Sequence, residues 1–141
     1  IFCNARKKVK LPYKNKISEN LTLDDLDNIE WQILIGSILG DGCITCGTSR
    51  KIKYKNFYFR EKHGIKQKNY ITWKKEKLKQ LNIHLYYEKK DNSPIIQTSS
   101  HSIFTQLRYL FYPDINKSHK EILPISFLEK LDCLKKRRAL R

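Results

Sequence analysis

The run IEWQILIGSILGDG, from Ile29 to Gly42, sets the tightest limit on how this 141-residue chain can fold. At about 100° per residue, Ile29, Ile33, Gly36 and Gly40 form one stripe of a helix, while Trp31, Leu34, Ile35 and Ile38 fall on the opposite side. Both sides are apolar, so the helix has to be buried between two things. An interior glycine costs a helix about 1 kcal/mol relative to alanine, so the two glycines of the stripe need a reason. Close approach of a second helix backbone is the obvious one. That second helix can belong to the same domain or to another molecule, and the stripe alone does not choose.

The stripe ends in Asp41-Gly42, a carboxylate where the helix dipole is already negative. Such a carboxylate is disfavoured unless a cation compensates it, and a divalent metal is the strongest compensator. Two copies of the helix packed on their glycines would bring two carboxylates together, the arrangement that holds Mg²⁺ for in-line attack on a phosphodiester. A plain Asp-Gly turn between helix and strand accounts for the same residues. Both readings stand on local grounds.

Charge narrows the class of partner. Lys and Arg outnumber Asp and Glu by 29 to 14, a formal net charge of +15. With 40% hydrophobic and 11% aromatic residues the chain has material for a core, and its length suits one domain. So much like charge in one domain implies a polyanionic partner, nucleic acid ahead of an anionic membrane surface. No apolar run approaches the roughly 20 residues that cross a bilayer, and no membrane partner is expected. Cys3, Cys43, Cys46 and Cys133 are too scattered for a disulfide scaffold, which fits a reducing or organellar compartment. The chain opens at Ile1 and contains no Met, so its original start is expected to have been lost. Heavy use of Lys, Asn and Ile resembles an AT-rich coding source, which adds to the expectation of an organelle, mitochondrion or chloroplast.

Residues 1–20 read as a basic arm carrying Lys7 and Lys8, either a solvated tail or a phosphate-gripping extension. The rest, 21–141, reads as one domain. Thr22 and Asp25 form a capping-box signal for a first helix running to about Gly40. Ile52 to Lys62 alternates, with Phe57 and Phe59 on one face and Tyr58, Arg60 and Lys62 on the other, a half-buried strand whose partner is Gly42 to Cys46. A second helix is expected from Lys66 to Leu81, with Tyr70, Ile71, Leu78 and Leu81 on one side and lysines elsewhere. Strands at His84–Tyr87, where Leu85 and Tyr87 alternate with His84 and Tyr86, and at Ile95–Thr98 flank the turn residues Asp91 to Pro94. Ser99 or Ser100 can cap a third helix that Pro113 stops, and Pro124 opens a last one ending in Lys135-Lys136-Arg137-Arg138. The order is α-ββ-α-ββ-α-α.

Leu34-Ile35-Gly36-Ser37-Ile38-Leu39-Gly40-Asp41-Gly42 resembles the signature of the LAGLIDADG homing endonucleases in its first Leu, inner Gly and closing Asp-Gly. Glu61-Lys62-His63-Gly64-Ile65-Lys66-Gln67-Lys68-Asn69-Tyr70-Ile71-Thr72-Trp73-Lys74 is similar to the strand-to-helix join of one subfamily. So are Thr98-Ser99-Ser100-His101, Phe104 and Leu110-Phe111-Tyr112-Pro113, and the similarity spans about Leu23 to Leu131. The resemblance implies an α+β fold: an αββαββα module whose four-stranded antiparallel sheet lies in the DNA major groove and which pairs through the motif helices.

Carried over, Asp41 is the catalytic metal ligand for Mg²⁺, and Ile33, Gly36 and Gly40 are the pairing face. The open side of the sheet reads bases. Period-two alternation nominates Tyr58, Arg60 and Lys62, followed by His84, Tyr86, Lys90 and Gln97, with Lys66, Lys68, Lys7 and Lys8 on the nucleic acid as well. Arg60 suits guanine O6 and N7, and most lysines hold phosphates without reading sequence.

One departure divides the functional expectation. Where the subfamily continues into a second motif ending in Asp-Asp-Gly, shortly after Leu131, this chain reads Asp132-Cys133-Leu134-Lys135. Two expectations follow: a homodimer that cleaves site-specific double-stranded DNA, or a lapsed member that binds structured RNA as an intron-splicing factor or organellar ribosome component among ribosomal proteins. Cys43-Ile44-Thr45-Cys46 has zinc-knuckle spacing, but on a strand its two thiols point to opposite faces, so no zinc is expected. His63, His84, His101 and His119 show no ligand spacing, and His101 is placed for capping or packing.

Overall fold

A computed structural model of the chain describes residues 16–46, 56–114 and 120. Lys7, Lys8, residues 47–55, the helix expected from Pro124 and the basic end lie outside the described residues.

The first helix starts later than its first capping signal. Asp25 Oδ2 accepts from the Thr22 backbone at 2.8 Å and from its hydroxyl at 3.0 Å, but this pair closes only a 3₁₀ turn, Leu23–Asp25. Leu26 then returns to extended backbone and is fully buried. A second capping box starts α1 (Asn28–Leu39): Glu30 N donates to Asp27 Oδ1 at 2.7 Å, and Asp27 N reaches back to Glu30 Oε1 at 3.5 Å. Two adjacent caps compete here, and burial of Leu26 goes with the later one.

The second helix is also shorter than expected. Turns of 3₁₀ helix at Ile65–Gln67 and Lys79–Leu81 bracket α2 (Lys68–Lys77). Leu78 leaves the helical region at φ −88°, ψ 54°, and both Leu78 and Leu81 reach the core. Tyr70, expected on the apolar side, is instead 47% exposed, whereas Lys74 is buried.

The third helix, α3 (Ser102–Phe111), is capped by His101, not by either serine. His101 Nδ1 accepts from Ile103 N at 3.1 Å and its Nε2 donates to Ser18 O at 2.9 Å. Ser99 is used elsewhere: its hydroxyl accepts from Ile17 N at 3.2 Å. Ile17 is itself buried in the core, so the described end of the expected basic arm is docked on the domain.

Strands β1 (Gly42–Thr45), β2 (Tyr58–Lys62), β3 (His84–Tyr87) and β4 (Pro94–Gln97) form one antiparallel sheet in the order β1-β2-β4-β3. The element order αββαββα and the α+β class are those expected. Phe59, Ile44 and Ile96 meet Leu34, Ile38, Ile71, Phe104 and Leu107 in one core between the sheet and the three helices. The edge strand β1 is closed by α3 and the residue after it. Ile44 N donates to Tyr112 Oη at 3.0 Å, and the Arg108 guanidinium, 3.6 Å from the Tyr112 ring centroid, donates to Ile44 O. Covering an edge in this way satisfies backbone groups that would otherwise pair with another chain.

Candidate functional site

The glycine stripe of α1 is open. Ile29 is 55% exposed and Leu39 38% exposed, Ile33 is half-buried, and a Cβ built on Gly36 meets nothing within 4 Å among the described residues. The opposite face, Trp31, Leu34 and Ile38, is buried in the core. Among the described residues, therefore, nothing crosses tightly at Gly36. The close approach within the domain falls on Gly42, whose added Cβ would lie 2.7 Å from Ser37 O and 2.7 Å from the Phe59 ring.

Asp41 stands where α1 hands over to β1, and its side chain is 74% exposed. The negative end of the helix is compensated by an ammonium group. Lys120 Nζ donates to the carbonyls of Ile38 at 2.7 Å, Gly40 at 2.8 Å and Gly42 at 2.7 Å. Burial pushes the Lys120 amine down, while Cys43 and Asp41 pull it the other way. This answers the dipole argument with a side chain about 80 residues downstream, which no local pattern announces.

Beside Asp41 lies a buried polar network that alternation and helical spacing also missed. Glu61 faces inward from β2 and is 1% exposed. Its Oε1 accepts from Lys74 Nζ at 2.6 Å and from His63 Nε2 at 2.7 Å. Lys74 also donates to Ser37 Oγ at 2.9 Å and sits 4.5 Å from the centroid of the Tyr70 ring. His63 Nδ1 lies 2.6 Å from the Gln67 side-chain amide and 3.9 Å from Asp41 Oδ2. Glu61 Oε2 is buried with no hydrogen-bond partner among the described residues. Charged residues read as surface in a sequence unless their partners are known, and here the partners come from α1, β2 and α2.

The open face of the sheet gathers most of the remaining candidates. The register sets Cys43, Arg60, Gln97 and His84 in one row across all four strands, and Lys62, Ile95 and Tyr86 in the next, with Tyr58 opposite Thr45. Tyr86 Oη donates to Gln97 Oε1 at 2.9 Å, and the His84 and Tyr86 rings stack at 5.6 Å. A hydrogen bond with Tyr86 pushes the Arg60 guanidinium up. Lys62 is pulled aside by an ion pair with Glu88 and by Asp91 at 3.7 Å, and the Glu88 hydrogen bond raises its amine. Lys90 lies in the exposed turn between β3 and β4. Lys66 and Lys68 are exposed at the entry of α2, and Lys68 Nζ lies 5.6 Å from the centroid of the Tyr87 ring at the end of β3.

A divalent ion needs hard oxygen donors. Among the described residues no three His, Cys, Asp or Glu side chains converge on one point. At this helix end the described residues offer one open carboxylate, Asp41, with the orphaned Glu61 oxygen in the same neighbourhood. Oxygens of this kind suit a hard divalent ion, but alone they supply only part of the shell such an ion takes.

The profile of the LAGLIDADG DNA endonuclease family matches residues 31–134. Among solved structures the chain is similar to the homing endonuclease I-WcaI bound to its DNA recognition sequence, at 24% identity and a TM-score of 0.47. The similarity covers 70% of this chain and 43% of that one, so the chain spans less than half of that structure's length. No curated protein matches.

Proposed function

The chain belongs to the LAGLIDADG DNA endonuclease family, and on that premise we propose that it is a site-specific, double-strand DNA endonuclease that works as two copies paired through α1. The observation that carries this is the uncovered apolar stripe of Ile29, Ile33, Gly36 and Gly40, with the open carboxylate of Asp41 at its end. Buried in a pair, the stripe is removed from water and the two Asp41 side chains meet across the seam. Structured RNA as the target is not favoured, because the family matched is one of DNA endonucleases.

Each residue then has a task. Lys120 holds the carbonyls at the helix end, so the dipole there no longer works against a carboxylate at Asp41. The two Asp41 carboxylates hold the divalent ion, which when bound supplies charge stabilisation at the scissile phosphate and a more acidic water. Arg60, Gln97, His84 and Tyr86 face the base edges from the open sheet, and the Tyr86 contacts fix Arg60 and Gln97 before DNA arrives. Lys62, Lys66, Lys68 and Lys90 contribute phosphate contacts and hence salt-dependent affinity.

The test is nicking of supercoiled plasmid with Mg²⁺ by the wild type and by Asp41→Asn. Wild-type protein converts the plasmid, and Asp41→Asn slows conversion by about a hundredfold or more while retaining retardation of the same DNA in a gel. Equal rates for the two proteins would remove Asp41 from the reaction.

A further inference from the structure

We propose that Lys74 is a positioning residue for the acidic end of α1, setting where Asp41 stands by clamping Ser37 and Glu61 from the neighbouring helix. The inference rests on reading Asp41 as a metal ligand. The clamp spans three elements. Ser37 lies one helical turn before Asp41 on α1, Glu61 is on β2 opposite Gly42, and Lys74 is in the last turn of α2. A single ammonium 2.9 Å from the hydroxyl and 2.6 Å from the carboxylate fixes the last turn of α1 against β2, the neighbour of the strand that follows the site.

Its charge matters as much as its reach. Glu61 is buried one hydrogen-bonded ring away from Asp41, through His63. Without its ammonium partner the Glu61 carboxylate would be a poorly compensated charge in the core, at a cost to the packing that holds the end of α1. With Lys74 on Oε1, and the Tyr70 ring 4.5 Å from the same ammonium, the pair is neutral and held at its remaining side. His63 is oriented in turn: its Nε2 donates to the oxygen that Lys74 holds, and its Nδ1 faces Gln67 and Asp41. A lysine used only to fill the core would need neither contact, and its ordinary place is the surface.

The two sides of the pair are separable by mutation. Lys74→Met alone leaves the buried Glu61 carboxylate without its ammonium and with only His63 on Oε1, and is expected to destabilise the domain strongly, which says nothing of positioning. The informative proteins are Glu61→Gln, in which the Lys74 ammonium keeps an amide oxygen, Ser37 Oγ and the Tyr70 ring, and the double variant Glu61→Gln with Lys74→Met, which leaves no lone charge behind. The probe is Mn²⁺ alone, titrated into the full-length labelled protein, and the readout is paramagnetic broadening of the Gly42 amide signal, with thermal unfolding as the control for fold. The expected result is that Glu61→Gln half-saturates close to the wild type, while the double variant needs at least about tenfold more Mn²⁺ at an unfolding temperature close to that of Glu61→Gln. A double variant that half-saturates with Glu61→Gln, or a Glu61→Gln protein that already loses the whole effect, overturns the role of Lys74. Asp41→Asn measured alongside separates the premise: broadening that survives that substitution overturns the Asp41 reading, and this inference with it.

Discussion

The two sides of α1 are equally apolar and end differently. Inward, Trp31, Leu34 and Ile38 are buried against the sheet, and the chain comes so close at Gly42 that a methyl group would press on Ser37 O and the Phe59 ring. Outward, Ile29 and Leu39 are exposed and Gly36 has nothing near its Cβ position among the described residues. One glycine is required by the domain's own packing. The other weakens its helix for no benefit that the described residues of the domain receive, and that asymmetry separates a residue kept for folding from one kept for assembly.

Substitution to alanine at the two glycines sharpens the contrast. The larger effect is expected at Gly42. Gly42→Ala forces backbone and a buried ring apart and lowers the free energy of unfolding by about 3 kcal/mol, read from urea denaturation of the full chain. Gly36→Ala runs the other way. With open space at its Cβ it raises the stability of the single chain by about 1 kcal/mol, through helix propensity, and weakens pairing in sedimentation of the same sample. Should both alanines destabilise the single chain alike, Gly36 would be a packing glycine and the contrast would disappear.

The parts legible in the sequence are those governed by short periods. Alternation along β2 puts Phe59 inside and Arg60 outside, and the i, i+4 stripe of α1 is open on the side that carries its glycines. Boundaries were less legible where two signals of equal strength stood side by side, as with Thr22 and Asp27, or Ser99 and His101. There the outcome followed which neighbour was buried or already engaged, Leu26 in one case and Ser99 in the other. The chemistry around Asp41 was largely hidden. Glu61 and Lys74 are 13 residues apart on different elements, and Lys120 reaches the end of α1 from 78 to 82 residues away. Charges at such separations carry no pattern, and only the folded chain brings them to one place.

Pairing through the open face of α1 is the claim on which the rest depends, and sedimentation equilibrium of the full chain, with and without Ile33→Glu, addresses it directly. The wild type is expected at twice the mass of one chain and Ile33→Glu at the mass of one, with circular dichroism close to that of the wild type, because Ile33 is only half-buried at the edge of the core while Trp31, Leu34 and Ile38 hold the opposite face. A wild type that stays single at every concentration, or a glutamate variant that pairs as the wild type does, contradicts the account.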